Sequence, residues 1–198
     1  MKNVTLITNT DILGIEETVK LTVKLSRLGL KRVQIRERKI DRNKLIYFIK
    51  KMKDSIDESC KIFLNGNLDL AIEHNLTGVH LSENTIINNS MTSEKNILFG
   101  RSLHESSQDL NPNNIFDYFH IGPVFPTLTH PGKKTITKEK IVNLTKKLDN
   151  IIFVGGINIA NVHKLSNYNF NGIAVMRELL LSKNPSHTFL NLEEIMNE

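Results

Sequence analysis

The sequence predicts a single (β/α)8 barrel over residues 1–198, and three observations predict it. Short apolar runs recur eight times along the chain, and helical patterns lie between several of them. The first run is followed by Thr8-Asn9-Thr10-Asp11, where an open doubly wound sheet usually carries a glycine-rich phosphate turn. Strands that alternate with helices at short spacing argue for parallel β-α-β units, and eight such units close a barrel. No linker, low-complexity stretch or second domain interrupts the pattern.

The strands are expected at Val4–Thr8, Arg32–Arg36, Lys61–Leu64, Gly78–Leu81, Ile97–Gly100, Tyr118–Ile121, Ile151–Val154 and Gly172–Met176. Each is short and rich in Val, Ile, Leu or Phe, as buried parallel strands are. Between them, Ile15 to Leu28 repeats apolar residues at helical spacing, and Gly29 is placed to end that helix. Asp41 caps a helix carrying Leu45, Ile46, Phe48, Ile49 and Met52. Shorter helices are expected over Asp69–His74 and Asn158–Leu165, a longer one opens at Thr137, and Thr188–Met196 closes the chain. The segments after Leu81 and after Leu103 have less clear helical character.

Hydrophobic residues make up 39% of the chain and charged residues 24%, which suits a globular core. The net charge of +5 favours anionic partners without naming one. Lys50, Lys51, Lys53 and Lys138, Lys140, Lys146, Lys147 lie along helical stretches and read as solvated faces, not as a nucleic-acid footprint. The one cysteine, Cys60, precludes an intrachain disulfide and reads as a packing residue. The first apolar run is too short for a signal peptide, and no stretch approaches the roughly 18 apolar residues of a membrane span. A cytoplasmic location with no membrane partner is the expectation; a homodimer stays open.

In such a barrel the chemistry sits where the strands end. Side chains alternate along a strand, so Val33 and Ile35 face the helices while Gln34 and Arg36 point into the mouth. An inward Arg meets either an anion, which its planar fork suits, or a carboxylate such as Glu37. Asn65, in Leu64-Asn65-Gly66-Asn67, is either a mouth-facing amide or part of a turn. His80 lies within an apolar run and reads as structural, while Ser102 and His104 close the fifth strand. A long loop, Gly122-Pro123-Val124-Phe125-Pro126-Thr127-Leu128-Thr129-His130-Pro131-Gly132-Lys133, follows the sixth strand and presents hydroxyls and cations. Gly155-Gly156, with a short helix expected just after, and Met176-Arg177 close the last two strands, the usual phosphate site of these barrels.

These segments, in this order, resemble the thiamin-phosphate synthase/TenI family over nearly the whole chain. The resemblance is carried by Gln34-Ile35-Arg36-Glu37-Arg38, Leu64-Asn65-Gly66-Asn67-Leu68-Asp69-Leu70-Ala71, Gly78-Val79-His80-Leu81, Gly122 to Thr129, Gly155-Gly156-Ile157 and Gly172 to Met176. It implies a transferase of thiamin biosynthesis that joins hydroxymethylpyrimidine diphosphate to thiazole phosphate, with Mg2+ on the leaving diphosphate. By the same resemblance Gln34, Arg36, Arg38, Asn65 and Ser102 face the pyrimidine and diphosphate, while Thr127, Thr129, Gly156, Met176 and Arg177 hold the thiazole phosphate, beside Gly155 of the expected cradle. The chain departs from the family where its two magnesium Asp residues belong: Gly66 occupies one position, and the other falls near Thr85 with Glu83 close by. The family's diphosphate Lys is Arg38, the Lys after the second loop threonine is His130, and the serine of the last loop is Arg177.

Two other readings belong beside the synthase. A TenI-like thiazole tautomerase would use His130 as its acid or base, since the family's loop histidine is Pro123 here. A non-catalytic module would bind thiazole phosphate or thiamin phosphate. Thr129-His130-Pro131 also resembles the barrel that some bacteria fuse to Nudix hydrolases, and no Nudix segment lies within these residues.

Overall fold

The computed structural model describes residues 1–86, 96–107 and 115–198. Eight parallel strands pair in chain order and the last pairs with the first, which closes the barrel. The strands are β1 (Asn3–Ile7), β2 (Arg32–Ile35), β3 (Lys61–Asn65), β4 (Gly78–Leu81), β5 (Leu98–Leu103), β6 (Tyr118–Ile121), β7 (Ile151–Val154) and β8 (Gly172–Val175). Around them lie α1 (Thr10–Leu13), α2 (Ile15–Arg27), α3 (Arg42–Ser55), α4 (Leu68–Glu73), α5 (Lys138–Lys147), α6 (Arg177–Leu180) and α7 (Pro185–Asn197). The two segments of unclear helical character run into residues 87–95 and 108–114, outside the described residues.

Local signals explain the helix ends. Gly29, at φ +108°, terminates α2 in a Schellman motif: its N–H donates to the Ser26 carbonyl, and the Leu30 N–H donates to the Leu25 carbonyl. Leu30 is fully buried, so the helix end also pins the entry to β2. Asp41 accepts from the Lys44 N–H at 2.9 Å and caps α3, and Thr137 caps α5.

Strand alternation sorts the core into two parts. Val4, Leu6, Val33, Ile35, Leu64, Val79, Ile121, Phe153 and Ile173 face outward and pack under the helices. Ile7, Phe63, Tyr118, Ile152 and Ala174 fill the barrel interior. Large and small residues interlock there: a Cβ on Gly78 would lie 2.5 Å from the Phe63 ring, and one on Gly100 only 2.0 Å from the Tyr118 ring. The glycines of β4 and β5 therefore give the aromatic rings their space. Cys60 is buried outside the barrel, where desolvation pushes its thiol up to about 12 and keeps it unreactive. No helix among the described residues is long and apolar enough to cross a membrane.

Candidate active site

The C-terminal ends of the strands surround a cavity of about 540 Å³. Gln34, Arg36, Arg38, Asn65, Ser102, Thr127, Thr129, His130, Gly155, Gly156, Met176 and Arg177 all line it. Every residue that sequence reasoning singled out for a site is thus brought to one place, from five of the strand ends and the loop after β6.

On the β2 side, Gln34 is buried and its Nε2 donates to Asn65 Oδ1 at 3.1 Å. That bond spends one donor and one acceptor, so the two amides share a fixed orientation at the mouth. Asn65 ends β3 as a strand residue, and the turn begins one residue later at Gly66, φ +83°. Arg36 stands above them, its Nη2 3.4 Å from His130 Nε2. The carboxylate reading of Arg36 is corrected by the structure. Glu37 turns to the first loop instead, accepting from Thr8 Oγ1 at 2.5 Å, the Thr10 N–H at 2.8 Å and Thr10 Oγ1 at 2.6 Å. Three donors satisfy that carboxylate, which leaves Arg36 facing the cavity. Burial lowers the Arg36 guanidinium below its ordinary range and the Arg38 charge adds to that. His130 is lowered by burial too, then by the charges of Arg36, Arg38, Lys133 and His104.

The floor is polar on one side and apolar on the other. His80 is buried with its Nε2 2.9 Å from Ser102 Oγ, and His120 stacks on it with ring centroids 4.1 Å apart. Burial holds His80 down to about 3, helped by the charges of Arg32, Arg36 and His104. His120 is held well below its ordinary value by the same burial. Both imidazoles are therefore neutral near pH 7. His120 escaped the sequence reading, although its position two residues before Gly122 on β6 gives it the inward parity of Ser102 and His80. Opposite them lie Ile7, Val154 and Ala174.

The β6 and β7 loops are built as one unit. The Val124 N–H donates to the Val154 carbonyl at 3.0 Å, and the Phe125 N–H to the Gly155 carbonyl at 3.1 Å. Gly155 and Gly156 sit at φ +96° and +66°, and a Cβ on Gly156 would lie 2.3 Å from the Pro126 carbonyl oxygen. The glycine pair is thus required by the approach of the β6 loop. The short helix expected just after the pair is corrected as well. Asn161 locks a turn there, accepting from the Asn158 N–H and donating to the Gly156 carbonyl, and only a 3-10 turn at Val162–Leu165 follows. On β8, Met176 precedes α6, whose first residue is Arg177.

Carboxylates are scarce around the cavity. Glu83, after β4, and Glu178, after β8, are the ones among its described lining residues. They stand on opposite sides of the closed strand order. Glu83 accepts from Ser107 Oγ, and Glu178 from the Ile159 N–H at 3.4 Å. No group of three His, Cys, Asp or Glu among the described residues could hold a metal ion.

A sequence model of the thiamine monophosphate synthase family matches residues 4–179. The chain is 32% identical over 156 residues to a thiamine-phosphate synthase of Prochlorococcus marinus, a match covering 72% of this chain and 44% of that protein. The chain therefore spans less than half the length of that relative. It is 26% identical to a Clostridium tetani thiamine-phosphate synthase over 98% of this chain and 95% of the relative. The barrel is similar to a thiamine phosphate pyrophosphorylase from Pyrococcus furiosus, with a TM-score of 0.84 and 19% identity over 98% of this chain and 95% of that one.

Proposed function

This chain belongs to the thiamine monophosphate synthase family, and from that membership we propose that it is a transferase joining hydroxymethylpyrimidine diphosphate to thiazole phosphate. The bond from the pyrimidine methylene carbon to the diphosphate oxygen breaks, and the thiazole nitrogen supplies the electron pair for the new carbon–nitrogen bond. The products are thiamin phosphate and pyrophosphate. The single observation that supports this most is the division of one cavity into two anion-friendly ends around a neutral floor.

Gln34 and Asn65, fixed by their mutual hydrogen bond, suit the edge of a pyrimidine, and Ser102 beside His80 extends that polar edge. Arg36 and Arg38 suit the leaving diphosphate, whose growing negative charge fixed cations stabilise, and His130 beside Arg36 offers it a hydrogen bond. Thr127, Thr129, Gly155, Gly156, Met176 and Arg177 suit the thiazole phosphate on the other side. A substrate cation forming between these ends is shielded from water by the apolar wall of Ile7, Val154 and Ala174.

A divalent ion enters through the family resemblance, and the described residues do not fit one held by side chains. Mg2+ is usually taken on one or two carboxylates beside substrate phosphates, and the two carboxylates at hand are opposed across the barrel and already hydrogen-bonded.

The test is direct. Purified protein with both substrates is expected to release pyrophosphate and form thiamin phosphate in equal amounts. No release at high enzyme concentration, with or without Mg2+, would refute the transferase reading. A tautomerase is favoured by one observation, the neutral imidazole of His130 at the mouth. It predicts turnover of the thiazole phosphate alone, lost in His130→Asn.

A further inference from the structure

The mouth holds more positive charge than its surroundings answer. Arg36, Arg38, His130 and Lys133 line one side of the cavity, and His104 lies on the adjoining rim. Arg36 and His130 are within 3.4 Å of each other. No ion pair among the described residues involves Arg36, Arg38 or Lys133. The nearest carboxylate along the chain, Glu37, is committed to Thr8 and Thr10. Gathering like charges costs free energy unless an anion neutralises them. A diphosphate has the charge and the number of acceptors to do so, and guanidinium forks match its oxygens.

We propose that this cavity binds diphosphate directly on Arg36, Arg38, His130 and Lys133, with no divalent cation required. The inference rests on the transferase reading for its biological ligand, but its chemistry is independent of turnover. The groups facing His130 are Arg36 and Arg38 from the end of β2, His104 from the end of β5, and Lys133 from its own loop. Arg36, Arg38 and Lys133 carry positive charge. Arrival of an anion reverses the field at the imidazole, so the site takes up a proton on His130 as it fills.

Isothermal titration of the intact chain with inorganic pyrophosphate, in EDTA and then in excess Mg2+, tests this. Binding is expected in EDTA, and Mg2+ is expected not to tighten it. Arg38→Ala and Lys133→Ala should each weaken binding roughly 10- to 100-fold, with thermal unfolding confirming that both variants fold. Repeating the titration at pH 7.5 in two buffers of different ionisation enthalpy should show more proton uptake for the wild type than for His130→Asn. Binding seen only with Mg2+ overturns the proposal, as does equal proton uptake by the two proteins. Pyrophosphate that binds in EDTA without any product from the two substrates sinks the transferase reading and leaves this one standing. Product and binding that both demand Mg2+ do the reverse.

Discussion

Arg32 opens β2 and Arg36 follows the residue that ends it, four residues apart and with the same inward parity. At the N-terminal end of the barrel, Arg32 is wedged between the rings of Phe63 and Tyr118, its guanidinium carbon 4.1 and 4.5 Å from their centroids. At the C-terminal end, Arg36 has an imidazole beside it and open cavity before it. Burial lowers both guanidiniums, yet the protein answers the cost differently. Below, aromatic faces flank the charge, although Nη1 of Arg32 finds no hydrogen-bond partner. Above, it is left for something that arrives. The same residue type at the two ends of β2 is therefore packed between rings in one place and open to the cavity in the other.

The comparison breaks most easily at Arg36. Arg36→Ala should reduce kcat/KM for pyrophosphate release by about 100- to 1000-fold while leaving the melting temperature nearly unchanged; a variant that keeps its activity would make Arg36 the second structural arginine. Gly156→Ala sharpens the upper end, since its Cβ would collide with the Pro126 carbonyl at a φ of +66°. We expect a loss of roughly 1–3 kcal/mol in denaturant unfolding together with a higher KM for thiazole phosphate. Arg32→Ala tests the lower end. It removes the stacked stem and the ring contacts, so stability should fall by about 1–2 kcal/mol, with pyrophosphate release unaffected.

The layer between the two ends is tested by pH. His80 and His120 bind their protons far more weakly folded than unfolded, from the ordinary 6.5 down to about 3 for His80. The unfolded chain therefore holds more protons between those values. Stability is full above about pH 6.5 and declines as pH falls, by up to ~1.4 kcal/mol per pH unit for each histidine. Urea melts between pH 4 and 7 should show this slope, and His80→Asn should flatten it.

Much of the barrel was legible because its signals are local. Gly29 marked the end of α2, Asp41 and Thr137 marked helix starts, and the eight apolar runs placed every strand to within a few residues. The short helices α1 and α6 were not marked, because four residues carry no periodicity. Within the site, alternation placed Gln34 and Arg36 inward, and strand ends collected the other candidates. Sequence reading left open Arg36's partner and passed over His120, because both depend on side chains far away in the chain.

By itself the sequence indicated eight alternating strands, the inward and outward faces of the second, and a set of residues that reach the mouth. These follow from backbone periodicity and from caps and turns spanning a few residues. Only the tertiary structure decided that Glu37 serves Thr8 and Thr10 instead of Arg36, that Gly156 makes room for the Pro126 carbonyl, and that His120 stacks on His80. Each is a contact between different strands or their loops, and its energy depends on distances that local pattern does not encode.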